Sequence, residues 1–146
     1  MWRALISLAL LSLAVRPLPA AAQDEGCPDT AEDTASQLVG EYLAGGQWDL
    51  AYNVLHPEAQ LRVPRQVFTA ARQANAIAAP VLDVEVFPGR RSVTWTWGVT
   101  GVGFTNVAEV PIRVSRGIVV GPVPAVEIIP LVLVGDCWRW LPPSLP

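Results

Sequence analysis

The chain has 146 residues, 51% of them hydrophobic, and a formal net charge of −3. That is one domain's worth of chain with enough apolar side chains for a core. The ten basic residues are all arginines, set against 13 acids, and the clustered basic face that nucleic acid requires is missing, which excludes it as a partner.

The first stretch, "MWRALISLALLSLAVRPLPAAAQ", has the layout of a secretory signal peptide. A charge at Arg3 precedes an apolar run from Ala4 to Val15, and small residues follow before Gln23. A charged start, an apolar middle and an A-x-A site predict a leader over residues 1–22, cut after Ala22. The apolar run falls short of the roughly 20 residues that span a bilayer. The alternative is an uncleaved N-terminal anchor. Cys27 follows Asp24-Glu25-Gly26, an acidic context unsuited to lipoprotein processing. Nothing further along is long and apolar enough to span, so the mature chain is expected to be secreted, or periplasmic where an outer membrane exists. Loss of Arg3 and Arg16 with the leader leaves 8 arginines against 13 acids, a net charge near −5.

Residues 23–33 form a polar lead-in containing Cys27, whose partner in number is Cys137. An even pair in an oxidising compartment reads as a disulfide. Free thiols or a metal site are the alternatives, but two thiols and one distant histidine fall short of the four ligands of structural zinc. No metal and no cofactor are expected.

A domain is expected over residues 34–142, with a tail at 143–146. Thr30 can cap a helix, with Glu32 and Asp33 in its first turn. Ala35, Leu38, Val39, Tyr42 and Leu43 then recur at helical spacing and predict a core-facing stripe. Gly45-Gly46 ends it. Trp48, Ala51, Tyr52 and Leu55 repeat the spacing in a second helix, which Pro57 stops by disfavouring helical geometry at His56. A third helix starts near Pro64, with Val67, Phe68, Ala71 and Asn75 on its inner side, and ends before Pro80.

From Val81 the period becomes two. "VLDVEVF", "SVTWTWGV" and "NVAEVPIRVS" alternate, and "AVEIIPLVLV" is nearly all apolar, the pattern of a central or doubly covered strand. "CWRWL" extends the series. "FPGRR", "GVTGVG" and "SRGIVVGPVP" read as breaks, and Gly135-Asp136 as a tight turn. Helices followed by strands predict an α+β domain, three N-terminal helices packed on an antiparallel sheet of four to five strands.

Two stretches, "EYLAGGQWDLAYNVLHPEAQ" and "PLVLVGDCWRW", resemble the nuclear-transport-factor-2-like superfamily, which also holds ketosteroid isomerases and polyketide cyclases. The second carries Val132, Gly135, Trp138, Arg139 and Trp140 where members often close their last strand, with Asp136 and Cys137 as the intervening pair. The likeness runs over about residues 34 to 141. It implies a curved, cone-shaped sheet with a cavity, pairing of subunits through the sheet and, in enzymatic members, an acid or base inside the cone.

The candidates for that acid or base are His56, Asp83, Glu85 and Glu127, with Tyr42 or Tyr52 as hydrogen-bond donors. Each has a plainer reading. His56 precedes a proline at a helix end, where an imidazole caps backbone groups or lies in a groove. Asp83 and Glu85 lie opposite Leu82, Val84 and Val86 and suit a solvated outer face. Glu109 and Arg113 share a face and suit an exposed ion pair. Glu127, in an otherwise apolar strand, must be paired, at an edge or functional, with an edge or the outer face the plainer place. Tyr42, Tyr52, Trp95, Trp97, Trp138 and Trp140 are either core filling or the lining of a pocket for a small apolar ligand. With no nucleophile motif and no phosphate loop, a non-catalytic secreted binding or accessory module is the leading reading. An isomerase, dehydratase or cyclase-like enzyme is the first alternative, and a cell-envelope interaction domain the second. Homodimerisation through the sheet accompanies the first. The leader makes the most direct test: N-terminal sequencing of the exported protein should read from Gln23, whereas a product beginning at Met1 would establish the anchor.

Overall fold

A computed structural model describes residues 26–146; the leader expected at 1–22 lies outside them. Helix α1 (Ala31–Ser36) opens on Thr30, whose hydroxyl oxygen accepts from the Asp33 backbone N–H at 3.0 Å while the hydroxyl itself donates to the Asp33 carboxylate at 2.7 Å. Thr30 is thus the cap that the sequence predicts. The helix continues as a π-helical segment, Gln37–Leu43, and ends in a turn with Gly46 at φ 72°, a left-handed conformation that glycine adopts without a Cβ clash. Ala35, Leu38 and Val39 are buried, and Tyr42 and Leu43 pack against the core.

Helix α2 (Trp48–Val54) buries Ala51 and Tyr52. A short helix, α3 (Pro57–Gln60), follows where only a stop was expected. Proline bars His56 from helical geometry yet suits the first position of a new helix, so the same residue ends one turn and starts the next. Helix α4 (Arg65–Ala78) has Pro64 immediately before it and stops ahead of Pro80. Its inner side differs from expectation: Phe68 is buried, whereas Val67 is 48% exposed. Ala71, Arg72 and Ala76 are half-buried beside Phe68, and Asn75 is exposed.

Among the described residues five strands form one antiparallel sheet: β1 (Val81–Val86), β2 (Arg90–Thr96), β3 (Gly103–Ile118), β4 (Gly121–Val134) and β5 (Cys137–Trp140). β1 and β2 lie end to end along one edge of β3, pairing with residues 112–116 and 103–109 respectively. β4 runs along the other edge and carries β5 at its far end. The predicted break "SRGIVVGPVP" is instead continuous strand, turning only at Val119-Val120 between the paired Ile118 and Gly121. Pro122 and Pro124 are tolerated because β5 pairs only residues 131–134 of β4, leaving the first half of β4 an edge with no second ladder to feed. For the same reason "AVEIIPLVLV" is not doubly covered: Val126 is 67% exposed.

The helices cover one face of the sheet. Ala108, Val110, Ile112, Val114, Ile129 and Leu131 from β3 and β4 join Leu38, Val39, Ala51, Leu55 and Phe68 in a single buried cluster. Leu82 departs from its expected inward place. A register shift between Val81 and Asp83 lets Val81 turn in and leaves Leu82 56% exposed, as a bulge does by adding one residue to one strand. Trp97 is fully buried and donates its indole N–H to the Pro142 carbonyl at 2.7 Å, fastening the C-terminal segment.

Cys27 and Cys137 form a disulfide, with Cα atoms 5.2 Å apart, that ties the segment before α1 to the start of β5. The Gly135-Asp136 turn, with Gly135 at φ 61°, sets Cys137 opposite Val134. Among the described residues no helix is long and apolar enough to cross a membrane. The closed loop spans 110 residues, for which chain entropy gives a stabilisation of about 4–5 kcal/mol. Replacing both cysteines by serine should lower the urea-unfolding free energy by that order. Reductant should cost the wild type the same amount and leave the double variant unchanged.

Candidate ligand-binding site

The side chains proposed from sequence for acid–base work do not converge. His56 caps α3: its Nδ1 accepts from the Glu58 backbone N–H at 3.1 Å, and its ring meets Phe104 edge-on at 5.2 Å. An imidazole that accepts at Nδ1 is neutral. Burial pushes its pKa below the ordinary value and Arg139 adds to this, against the opposing charge of Glu58. Asp83 and Glu85 are exposed on the outer face. Glu85 is bonded to Arg113 at 2.5 Å, an ion pair about half exposed and so worth little.

The expected Glu109–Arg113 pair does not form. Residues four apart along a strand are about 13 Å apart, whereas Arg90 and Glu85 are the direct cross-strand neighbours of Glu109 and Arg113. Glu109 accordingly receives Arg90 at 2.9 Å and the Ser92 hydroxyl. The Ser92 and Arg90 hydrogen bonds hold its pKa below the usual carboxylate value.

Glu127 is paired and on the edge half of β4, as expected, but on the inner face and not the outer one. It lies on the inner face of β4, opposite Ile112 and two residues before Ile129, and it borders a cavity of about 270 Å³ between the π-helical segment, α4 and the sheet. The walls are Val39 and Leu43 from the π-helical segment, Trp48 from α2, Arg72, Asn75 and Ala76 from α4, and Val81, Arg116, Ile129 and Trp140 from the strands. Val39 and Leu43 both belong to the π-helical segment that continues α1, and such widened turns recur at functional sites.

Of the six aromatic residues expected to line a pocket, Trp140 alone lines this one. Tyr52 is core, its hydroxyl between the Gln60 and Val63 carbonyls at 3.3 and 3.0 Å. Trp97 is committed to Pro142, Trp138 lies beneath Arg91 at 4.2 Å, and Trp95 packs on Phe104. Tyr42 packs against the hydrophobic core outside the cavity wall. Among the described residues no three of His, Cys, Asp or Glu are grouped to hold a metal.

The residues that define the cavity's chemistry are Arg72 and Arg116, which sequence reasoning had not singled out. Arg116 binds Glu127 at 2.9 Å, so these two charges cancel. Arg72 lies 5.1 Å above the rings of both Phe68 and Trp140, its stem covering apolar surface while its guanidinium stacks. Its Nε–H and the indole N–H of Trp140 are both buried with no acceptor. Each such donor costs about 1–3 kcal/mol while unmet. Burial, and the Arg116 charge after it, pull the Arg72 pKa down while Glu127 opposes them, yet a guanidinium stays protonated. The cavity therefore sets the apolar side chains of Val39, Leu43, Val81 and Ile129 beside Arg72, Asn75 and the Arg116–Glu127 ion pair.

The His56 cap carries a pH dependence. Because the folded state holds the imidazole below its ordinary pKa, the unfolded chain binds the proton more readily. The contribution is complete above about pH 6.5 and is lost as pH falls below that value. Urea midpoints at pH 7.5 and 5.5 should separate in the wild type by more than in His56→Asn, which keeps a capping acceptor that does not titrate. The chain matches no protein-family model and no curated protein, so its functional reading rests on the geometry of this cavity.

Proposed function

We propose that the chain is an exported, non-catalytic binding module of nuclear-transport-factor-2-like type, taking a small, largely apolar ligand into the cavity beneath α4. The observation that carries this reading is the half-open cavity lined by Val39, Leu43, Val81 and Ile129 with the stacked Arg72 and Trp140 beside them. Apolar walls with a few placed polar groups are the common form of a small-molecule site. The disulfide supports export, since such bonds persist in oxidising compartments.

An enzymatic reading has one lining group to work with, Glu127, whose carboxylate is already held by Arg116. Neither a tyrosine nor a histidine joins it on the cavity wall. General acid–base chemistry needs a group within hydrogen-bond reach of the substrate, and His56, Asp83 and Glu85 lie elsewhere. Pairing through the sheet would use the outer face of β4, where Val126 is 67% and Ile128 46% exposed.

Native mass spectrometry of the exported protein tests the reading. The wild type should carry a small molecule that is released on denaturation, and Ala76→Trp, which fills the cavity from α4, should be free of it. Equal native and denatured masses for the wild type would sink the ligand reading. The same spectrum reads the oligomer.

A further inference from the structure

We propose that the tip of the β3–β4 hairpin docks on an electrically neutral lipid surface, its aliphatic side chains entering the interfacial layer. This surface is separate from the cavity and from whatever the cavity holds. Residues 117–126 read "GIVVGPVPAV", ten in a row with no charged or hydrogen-bonding side chain. Ile118, Val119, Val120 and Val123 are all exposed, the two at the turn almost wholly. Contiguous apolar surface of this kind marks a contact with something else.

The tip is apolar on both faces. Ile118 stands two residues beyond Arg116 and Val123 directly opposite it, so both share the inner face. The other face carries Pro122 and Pro124, opposite Gly117 and Ser115. Leu82 joins them, its side chain 3.4 Å from where a Cβ on Gly117 would stand. Successive side chains of a strand alternate, so a hairpin seated on a protein partner needs one apolar face. Two such faces suit a medium that surrounds the tip.

The backbone is prepared for the same medium. The Leu141 N–H donates to the Pro130 carbonyl at 3.0 Å, so the backbone groups of Pro130 point away from β3. The register with β3 is unbroken from there to the turn, and the backbone groups of alternate residues share a side. Positions 122 and 124 therefore face the open edge, and as prolines they present no N–H to it. On the opposite edge the Gly117 N–H donates to the Pro80 carbonyl at 2.8 Å. Short of the turn itself, neither edge of the tip offers an unmet N–H. Unmet donors are what bar an open strand edge from lipid. Their loss also denies an added peptide or a second copy the ladder it would need here.

Reach, area and charge agree. Arg116, bound to Glu127 at 2.9 Å, marks the root. Three residues lead from it to the turn, about 10 Å, and interfacial segments sink about 5–10 Å. A handful of aliphatic side chains falls well short of the roughly 800 Å² per partner that a stable protein interface takes. The tip has no charge and the chain is net negative, which disfavours an anionic surface.

The test is flotation of the mature protein with vesicles of phosphatidylcholine, and with vesicles in which phosphatidylglycerol replaces about a third of it. The protein should float with the neutral vesicles, hold on in salt that screens surface charge, and gain nothing from the anionic lipid. Val119→Ser/Val120→Ser should lower the partition coefficient at least tenfold, since two valines lose their apolar burial. Leu61→Ser, at a largely exposed leucine after α3, should partition as the wild type does. All three positions are exposed, so neither variant should shift the melting temperature. No flotation with either vesicle, or equal flotation of the double variant, overturns the proposal. So does binding that requires the anionic lipid and vanishes in salt. Sedimentation velocity supplies the last arm: a wild-type dimer that the double variant splits into monomers assigns the tip to a second copy and overturns the lipid assignment.

Discussion

The fold depends on one strand carrying two others in tandem. β3 is 16 residues long, and β1 and β2 share a single edge of it without overlapping. Between their footprints lie Val110 and Pro111, opposite the turn at 87–89, where the Phe87 N–H donates to the Pro111 carbonyl. A proline is admissible there because neither short strand continues its ladder across the gap. The turn is pinned from the helical layer by the Glu32 carboxylate, which accepts from the Gly89 N–H at 2.8 Å. The first turn of α1, the step in the sheet and the position of Val81 at the cavity wall are thereby parts of one arrangement.

Against that frame α4 is an unusual cover. Phe68 is its one buried residue, and the next residue on the same stripe is an arginine. A helix that lays carbon against a sheet gains by hydrophobic burial. One that lays a guanidinium between two aromatic rings gains less and leaves space beside it. Arg72 and Asn75 of that helix both line the cavity, and with Arg116 paired to Glu127 its net positive charge comes from Arg72. Sites that carry function are where local rules of packing are most often broken.

The sequence made the helices and the sheet legible in proportion to their periodicity. The Thr30 cap, the Gly46 stop, the stripe of α2 and the Gly135-Asp136 turn follow from residues whose local chemistry dominates. The lengths of β3 and β4 did not, because glycine and proline around residues 115–124 mark a turn in most settings and an edge strand in this one. That misreading also hid Arg116, which follows Val110, Ile112 and Val114 at a strict period of two and belongs to the inner face once β3 is seen to run on. Glu127 stands in the strand read from Ala125 and shares the face of Ile129 and Leu131. Arg72 sits four residues after Phe68, and Asn75, Ala76 and Ala79 complete the stripe. Trp140 was recognised as an aromatic of the sheet, while its neighbours Trp95, Trp97 and Trp138 look equivalent in sequence and differ only in what lies over them.

The bond between Cys27 and Cys137 gives the domain the topology of a ring with a short tail at each end. Cutting a ring once yields an open chain and no fragments. The tip of the β3–β4 hairpin, with Val119 and Val120 almost wholly exposed, is where a protease most easily grips the backbone. Scission there would leave the two halves covalently joined through the sulfurs and held along the ladder below the tip. The crosslink turns what would be a severing cut into a nick.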